Sequence, residues 1–473
     1  MLYDFLDIDK NSDVLLYEQL YHLIIRAVNE NKLRKGDKLP SIRRLADDLS
    51  VSRTTVQTAY DQLCAEGYIT ALPQKGYFIE SDKAYEKLIA LTENQTQANH
   101  CQNNFTALSA KTKIKYDFSG SGIDPQYIDI KFWSRCVKNI LEQSDVISSY
   151  GLPQGETELR TVLCDYARNV RGVDADVDRI VIGAGTQPLL SILLGLCKNY
   201  GKDIALEKGF FPQGEQIFSD FGFDFTKLSA DKNGIILNSN IKSRLLFVNS
   251  SGSIRGSAPI PINKRIEMIN WAEKNDAIII EDDFNGELRY SSKPVPALQG
   301  MNSDKVVYIG SFSKLLLPSI RISYMVLPQK LAEIYNLRKQ YYNQTSSKVE
   351  QLALAEYIQS GRLERQLRKL RKIYAVKSQI LYDCLFQKIG HDAIIDVIET
   401  ALCVRIKFQC SLTLDGIKKI AQENSIKLGK CRNKNNFTYI YLCFAGIETE
   451  KIHTAADLLC KILKPVLNPL SAI

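Results

Sequence analysis

No stretch of this chain stays apolar long enough to cross a bilayer. Its longest runs, such as Pro188-Leu189-Leu190-Ser191-Ile192-Leu193-Leu194, fall far short of the ~20 residues a spanning helix requires. The opening segment MLYDFLDIDKNSD is acidic and lacks the basic-then-apolar order of a signal peptide. No membrane contact and a cytoplasmic location are therefore expected. Histidine is scarce, at four residues, with no metal-ligand clustering. The eleven cysteines form no C-x-x-C pair and scatter from Cys64 to Cys460. That pattern predicts free thiols in a reducing compartment and no metal site.

The chain has 473 residues, 45% hydrophobic and 24% charged, which predicts a soluble protein of two or three domains. Its net charge of +8 suits an anionic partner without proving one. Residues 1–80 carry 10 Lys+Arg against 12 Asp+Glu, yet 31–57 hold seven basic residues against three acidic. Any basic surface there must come from placement. Between 81 and 115 the sequence turns rich in Asn, Gln, Thr and Lys and loses period, as a flexible linker does. Three parts are expected: a compact block at 1–80, the linker at 81–115, and a large domain at 116–473.

In the first block, LLYEQLYHLIIRAVNENKL (15–33) places apolar residues at helical spacing. A second helix follows Pro40-Ser41, with Ile42, Leu45, Ala46 and Leu49 on one face. A third starts at the N-cap Ser52, stacks Val56, Ala59, Tyr60 and Leu63, and ends at Gly67. YITALPQKGYFIE then reads as a hairpin. Three helices and a hairpin are the order of a winged helix-turn-helix. Its third helix would present Ser52, Arg53, Thr54, Thr55 and Gln57 to a major groove, with free N–H groups for a phosphate. Arg43 and Arg44 flank it, and Lys75 at the hairpin tip would be the wing contact. A three-helix packing module with a merely solvated polar face fits the same pattern. The runs YEQLYHLI, GDKLPSIRRLADDLSVSRTTVQTAYDQLCAEGYI and KGYFI closely resemble the GntR-type winged-helix domain, and the resemblance implies binding to double-stranded operator DNA.

After the linker, strand-like and helix-like segments alternate, which predicts an α/β domain with a mostly parallel sheet. RIVIGAGTQPLLSILLGLC (179–197) reads as strand, small-residue turn and apolar helix, with Gly185 and Thr186 placed to cradle an anion. AIIIEDDFNGELRY (277–290) is an apolar strand ending at Asp282 and Asp283, and KVVYIGSFSK (305–314) is another ending at Lys314. Ligands gather at the carboxyl ends of such strands. A lysine desolvated there suits amine chemistry with a carbonyl; an aspartate suits a pyridinium nitrogen; Ser311 and Arg321 suit a phosphate. Taken one at a time, each residue also has a plain reading: an edge lysine, a helix cap, an ion pair.

Residues 116–465 resemble the fold-type I, aspartate-aminotransferase-like domain, with a smaller C-terminal α+β subdomain. SFSKLLLPSIRISYMV is similar to the lysine loop of that family, which implies Lys314 as the Schiff-base lysine of pyridoxal 5'-phosphate (PLP), with Ser311 and Arg321 on its phosphate. IIIEDDFNGELRY implies Asp282, or Asp283 one residue on, as the pyridinium partner. GAGTQPLL implies the phosphate turn at Gly185 and Thr186. SSYGLPQGETELR implies that Tyr150 reaches a partner subunit's phosphate, and EKGFFPQG implies Phe211 stacked on the cofactor ring. A GntR-type domain followed by this fold is identified as a member of the MocR subfamily of bacterial transcription regulators. That resemblance implies a head-to-tail homodimer and an amine or amino-acid effector, or PLP itself, as the signal.

Three positions depart from the family pattern. Phe284 stands where a tyrosine donates to the cofactor's ring oxygen. Ile254, within GSIRGSAP (252–259), replaces a polar contact to the same oxygen, and Arg255 is an unexpected cation there. Tyr441, in FTYIYLCFAG (437–446), falls near the place of the arginine that holds a substrate carboxylate; Arg432 upstream is a weak substitute. Each buried hydrogen bond lost costs about 1–3 kcal/mol. The departures argue against an efficient aminotransferase and for a sensor; an active aminotransferase with an accessory DNA-binding domain is the alternative.

Overall fold

The computed structural model describes residues 8–10, 12, 14–80, 114–120, 122–207, 212–231, 234–237, 241–251, 259–283, 285–292, 294–434 and 436–468. Phe211, Ile254, Arg255 and Phe284 lie outside the described residues, as does nearly all of the 81–115 segment. The chain divides into two compact units, Met1–Ala110 and Lys111–Ile473.

In the first unit, helices α1 (Leu16–Asn29), α2 (Ile42–Leu49) and α3 (Arg53–Ala65) precede strands β1 (Ile69–Leu72) and β2 (Gly76–Ile79). Serine oxygens start the last two helices: Ser41 Oγ accepts from the Arg44 amide at 3.3 Å, and Ser52 Oγ from the Thr55 amide at 3.0 Å. Between α2 and α3 the chain turns through Ser50 in the left-handed region. Val56, Ala59, Tyr60 and Leu63 are all fully buried, packed with Leu20, Ile24 and Leu45. The strands pair antiparallel from Ile69 opposite Ile79 to Leu72 opposite Gly76. Ile42 and Leu49 of the predicted apolar face are only half-buried.

The second unit is built on a seven-stranded sheet. In chain order its strands are β3 (Ile180–Gly183), β4 (Asp203–Glu207), β5 (Asp224–Leu228), β6 (Leu245–Val248), β7 (Ile278–Asp282), β8 (Val306–Ser311) and β9 (Ser323–Val326). The spatial order is β3-β9-β8-β7-β6-β4-β5. Only β9 runs antiparallel to its neighbours. Strands β6, β7 and β9 and most of β8 are buried on both faces, which is why they read as continuous Ile/Val/Leu runs. Helix α4 (Thr157–Arg171) precedes β3, and α5 (Thr186–Leu196) follows it.

A second, antiparallel sheet forms from β10 (Ala393–Ile398), β11 (Cys403–Cys410), β12 (Cys431–Lys434) and β13 (Phe437–Cys443), in the order β10-β11-β13-β12. Helices α6 (Arg362–Ile389) and α7 (Thr449–Leu463) join Val404, Ile406, Ile440 and Leu442 of this sheet in one apolar core. The opposite face carries Asp396, Arg405, Lys407, Tyr439, Tyr441, Arg432 and Lys434, as the register requires.

Candidate functional site

Strands β6, β7 and β8 end together, and polar residues begin where their apolar runs stop. Asp282 closes β7 and is buried. Burial, with the carboxylates of Asp283 and Glu281 beside it, pushes its pKa up to about 7. It makes no hydrogen bond to a described residue. Asp283 is in the opposite condition. Arg171 at the end of α4 grips it with Nε at 2.5 Å and Nη2 at 3.0 Å, Tyr308 donates at 2.8 Å, and Ser251 donates as well. Gly286 makes this packing possible, because a Cβ there would lie 2.2 Å from Asp283 Oδ1. Glu281 is engaged too, accepting from Ser250 Oγ and from the amides of Leu298 and Gln299. Of the three consecutive acids, Asp282 alone has no hydrogen bond to a described residue.

Lys314 lies three residues beyond the end of β8, in a turn, and is half-buried. Its Nζ donates to the carbonyls of Gly120 at 2.5 Å and Gly122 at 3.5 Å. Burial pushes its ammonium pKa down, with the Cys443 thiol opposing the change. Among the described residues no carboxylate pairs with it, so its amine stays available.

A candidate anion cradle lies next along the chain. Gly185 caps α5 at φ +102°, and a Cβ there would sit 2.5 Å from Arg321 Nη2. Arg321 itself adopts φ +55° after the turn Pro318–Ile320, and its Nη1 donates to Ser313 Oγ at 3.3 Å. Ser311 Oγ is 3.4 Å from Ser313 Oγ. The exposed guanidinium, the hydroxyls and the first amides of α5, from Thr186 on, thus converge on the space a side chain at 185 would fill. Tyr150 is fully exposed and takes no part in its own chain's cradle.

Two residues were missed in the sequence. Asn249 follows β6 directly, buried, in register beside Asp282; its Oδ1 accepts from the Ser251 amide at 3.0 Å. A polar residue ending an apolar strand next to an acid was the available signal. Arg171 gave none, being 112 residues from Asp283.

On the polar face of the second sheet, Tyr441 is buried and faces Arg405 across the ladder. Arg405 is already paired with Asp396 at 2.6 Å. Arg432 is more telling than the sequence suggested. Its guanidinium lies over the rings of Tyr439 and Tyr441, at 5.2 and 5.4 Å, and its Nε is buried with no hydrogen-bond partner. Arg405, Lys407, Arg432 and Lys434 border a cavity of about 310 Å³ against one acid, Asp396.

In the first unit, Arg43, Arg44, Ser52, Arg53, Thr54 and Lys75 are exposed. Ser52, Thr54 and Thr55 share hydroxyl hydrogen bonds at the start of α3, and Gln57 donates to Asp61 at 2.7 Å. Arg53 sits in the first position of α3, and among the described residues no carboxylate pairs with it. Lys75 stands in the turn between β1 and β2.

Residues 16–79 match the family of bacterial regulatory proteins of the gntR type, and 126–457 match aminotransferase class I and II. Among curated proteins, the chain is 35% identical over 393 residues to the uncharacterized HTH-type transcriptional regulator YdeL of Bacillus subtilis, covering 81% of this chain and 82% of that one. It is 28% identical to the probable rhizopine catabolism regulatory protein MocR of Rhizobium meliloti, over 79% and 78% of the two chains. It is 29% identical to the pyridoxine biosynthesis transcriptional regulator PdxR of Corynebacterium glutamicum, over 78% of each. Among solved structures, an archaeal alanine:glyoxylate aminotransferase superposes with a TM-score of 0.68 at 19% identity, over 80% of this chain and 95% of its own. That likeness establishes the shared fold. No helix among the described residues is long and apolar enough to cross a membrane. The chain belongs to the MocR-type GntR regulators, transcription regulators that join a GntR helix-turn-helix domain to an aminotransferase-like domain.

Proposed function

We propose that the large unit holds PLP and reports a primary amine carrying an anionic group, and that the winged-helix unit turns this signal into operator occupancy in the cytoplasm. The supporting observation is that a half-buried lysine with no carboxylate partner, a buried aspartate with no hydrogen bond among the described residues, and the Gly185–Arg321 turn follow the carboxyl ends of strands in one sheet. Each suits one part of PLP. Bound there, PLP supplies an aldehyde that captures amines and a ring that accepts negative charge. Lys314 would hold the aldehyde carbon; Asp282 would keep a proton at the ring nitrogen; Arg321, Ser311, Thr186 and the Gly185 turn would bind the phosphate. Asn249, buried at the end of β6, would be the polar group nearest in register to Asp282, where Phe284 and Ile254 offer no donor. Arg432 would attract the effector's anion from β12, since Tyr441 cannot.

The solvent-facing Tyr150 supports a head-to-tail homodimer in which it completes the second copy's cradle. Arg43, Arg44, Arg53, Thr54 and Lys75 would contact DNA, with Ser52, Thr55 and Gln57 at the recognition-helix start. With domain bounds at 1–80, 81–115 and 116–473, effector binding would change the placement of the two units. An effector shifts such an equilibrium only by its difference in affinity between the two arrangements. A second reading, in which PLP itself is the signal, draws on the name of the relative PdxR.

The test is an absorbance titration with PLP of the wild type and Lys314→Ala, followed by a panel of amines. A visible-edge band that requires Lys314 supports the reading. No band in either protein would reduce the large unit to a dimerisation scaffold. Rapid turnover to pyridoxamine with a keto-acid acceptor would make the protein an enzyme.

A further inference from the structure

Cys403 on β11 and Cys443 on β13 are direct cross-strand partners. The Cys443 amide donates to Phe118 O at 3.0 Å, away from β11, whereas the Phe444 amide donates to Leu402 O at 3.1 Å. The two cysteines therefore form a non-hydrogen-bonded pair, the kind in which Cα atoms approach to ~4.5 Å. That separation lies at the short end of the range a disulfide spans. The pair is unequal. Cys403 is fully buried, while Cys443 is half-buried. The neighbouring Cys403 thiol and the Lys314 ammonium push the Cys443 thiol down against the effect of its burial, and the Cys403 thiol is pushed up; Cys443 Sγ lies 3.9 Å from the Ala401 carbonyl. Cys384 makes the contrast, since its thiol donates to Asp457 at 3.0 Å and is pushed up to about 12.

The sulfur of Cys443 also touches the lysine's support. It lies 2.8 Å from where a Cβ on Gly120 would stand, and the Gly120 carbonyl holds Lys314 Nζ. A change at Cys443 thus reaches Lys314 through one residue.

We propose that Cys443 and Cys403 form a peroxide-reactive thiol pair that closes to a cross-strand disulfide and thereby alters the surroundings of Lys314. The Cys443 thiolate attacks one oxygen of a hydroperoxide and breaks the O–O bond. This leaves a sulfenic acid on Cys443 and releases an alkoxide or hydroxide that takes a proton. The Cys403 thiol, losing its proton, then attacks the Cys443 sulfur and expels hydroxide, which leaves as water. Two thiols give up two electrons, and the peroxide becomes an alcohol (or water) and water. Closure draws the Cys443 sulfur toward β11, off Gly120, and removes the acidic thiol facing the ammonium. No bound cofactor is needed for any of these steps.

The full-length protein without added PLP is treated with hydrogen peroxide, digested without reductant and read by mass spectrometry. The expected product is a Cys403–Cys443 linked peptide pair that dithiothreitol releases. Cys403→Ser should instead leave a dimedone-reactive Cys443, and Cys443→Ser should leave Cys403 unlabelled. In the linked protein, acetic anhydride should modify Lys314 about threefold faster at pH 8, because loss of the nearby thiolate favours the neutral amine; the double variant should show no change with peroxide. Absence of the linked pair, preferential linking of other cysteines, or an unchanged Lys314 rate in the linked protein would overturn the proposal. The disulfide readout is independent of PLP, so its failure leaves the cofactor reading untouched.

Discussion

Asp282 and Asp283 are adjacent in sequence and both buried, yet among the described residues Asp283 is bound by three side chains and Asp282 by none. The strand's alternation explains this. Asp283 turns to Arg171, Tyr308 and Ser251, while Asp282, the last residue of β7, faces the other way. The pairing argues for Asp282 as the residue that meets the cofactor.

Asparagine substitutions should separate the two. Asp283→Asn leaves Arg171 as an uncompensated buried charge and should cost about 3–5 kcal/mol in urea unfolding. Asp282→Asn should leave urea stability equal or higher, while weakening PLP binding at least about tenfold. Equal stability losses in the two variants would refute the assignment.

The raised pKa of Asp282 gives a pH signature in the free protein. With a folded value of about 7 and an unfolded one of about 3.9, the folded state holds the extra proton. The stability this group contributes is fully present below pH ~4 and is lost as pH rises through about 7, at no more than about 1.4 kcal/mol per pH unit. Glu287 is also raised to about 7, so the Asp282→Asn curve is the reference. Thermal unfolding from pH 4 to 8 should show a shallower decline in the variant.

At Gly185 an added methyl group meets Arg321 Nη2 at 2.5 Å and must adopt φ +102°. Gly185→Ala should therefore cost about 1–3 kcal/mol of backbone strain and weaken PLP binding much more than pyridoxal binding, since only PLP uses the cradle. Paired absorbance titrations measure the ratio.

Arg432→Met should remove selection for an anionic effector. In the wild type loaded with PLP, 5-aminopentanoate should perturb the absorbance at lower concentration than pentylamine, by about tenfold or more. In the variant the two should be alike, with PLP affinity unchanged.

Arg53→Ala should weaken operator binding by about 1–3 kcal/mol at fixed salt and leave PLP absorbance intact. Unchanged DNA affinity in a gel-shift titration would displace α3 as the recognition helix.

The sequence by itself determined the local structure. Serine caps, helical spacing and a turn tetrapeptide defined the winged helix. Doubly buried strands announced themselves as Ile/Val runs, and the residues ending them located Lys314, Asp282 and Gly185. Those signals are short-range, and so survive in one dimension. Tertiary structure decided the pairings that depend on distant chain segments meeting. It let Arg171 claim Asp283 across 112 residues. It laid Arg432 over the tyrosine that displaced the expected arginine, and set Cys403 opposite Cys443 beside the support of Lys314. Partner choice in a packed interior follows register and burial, and a residue's own neighbours in sequence carry no record of either.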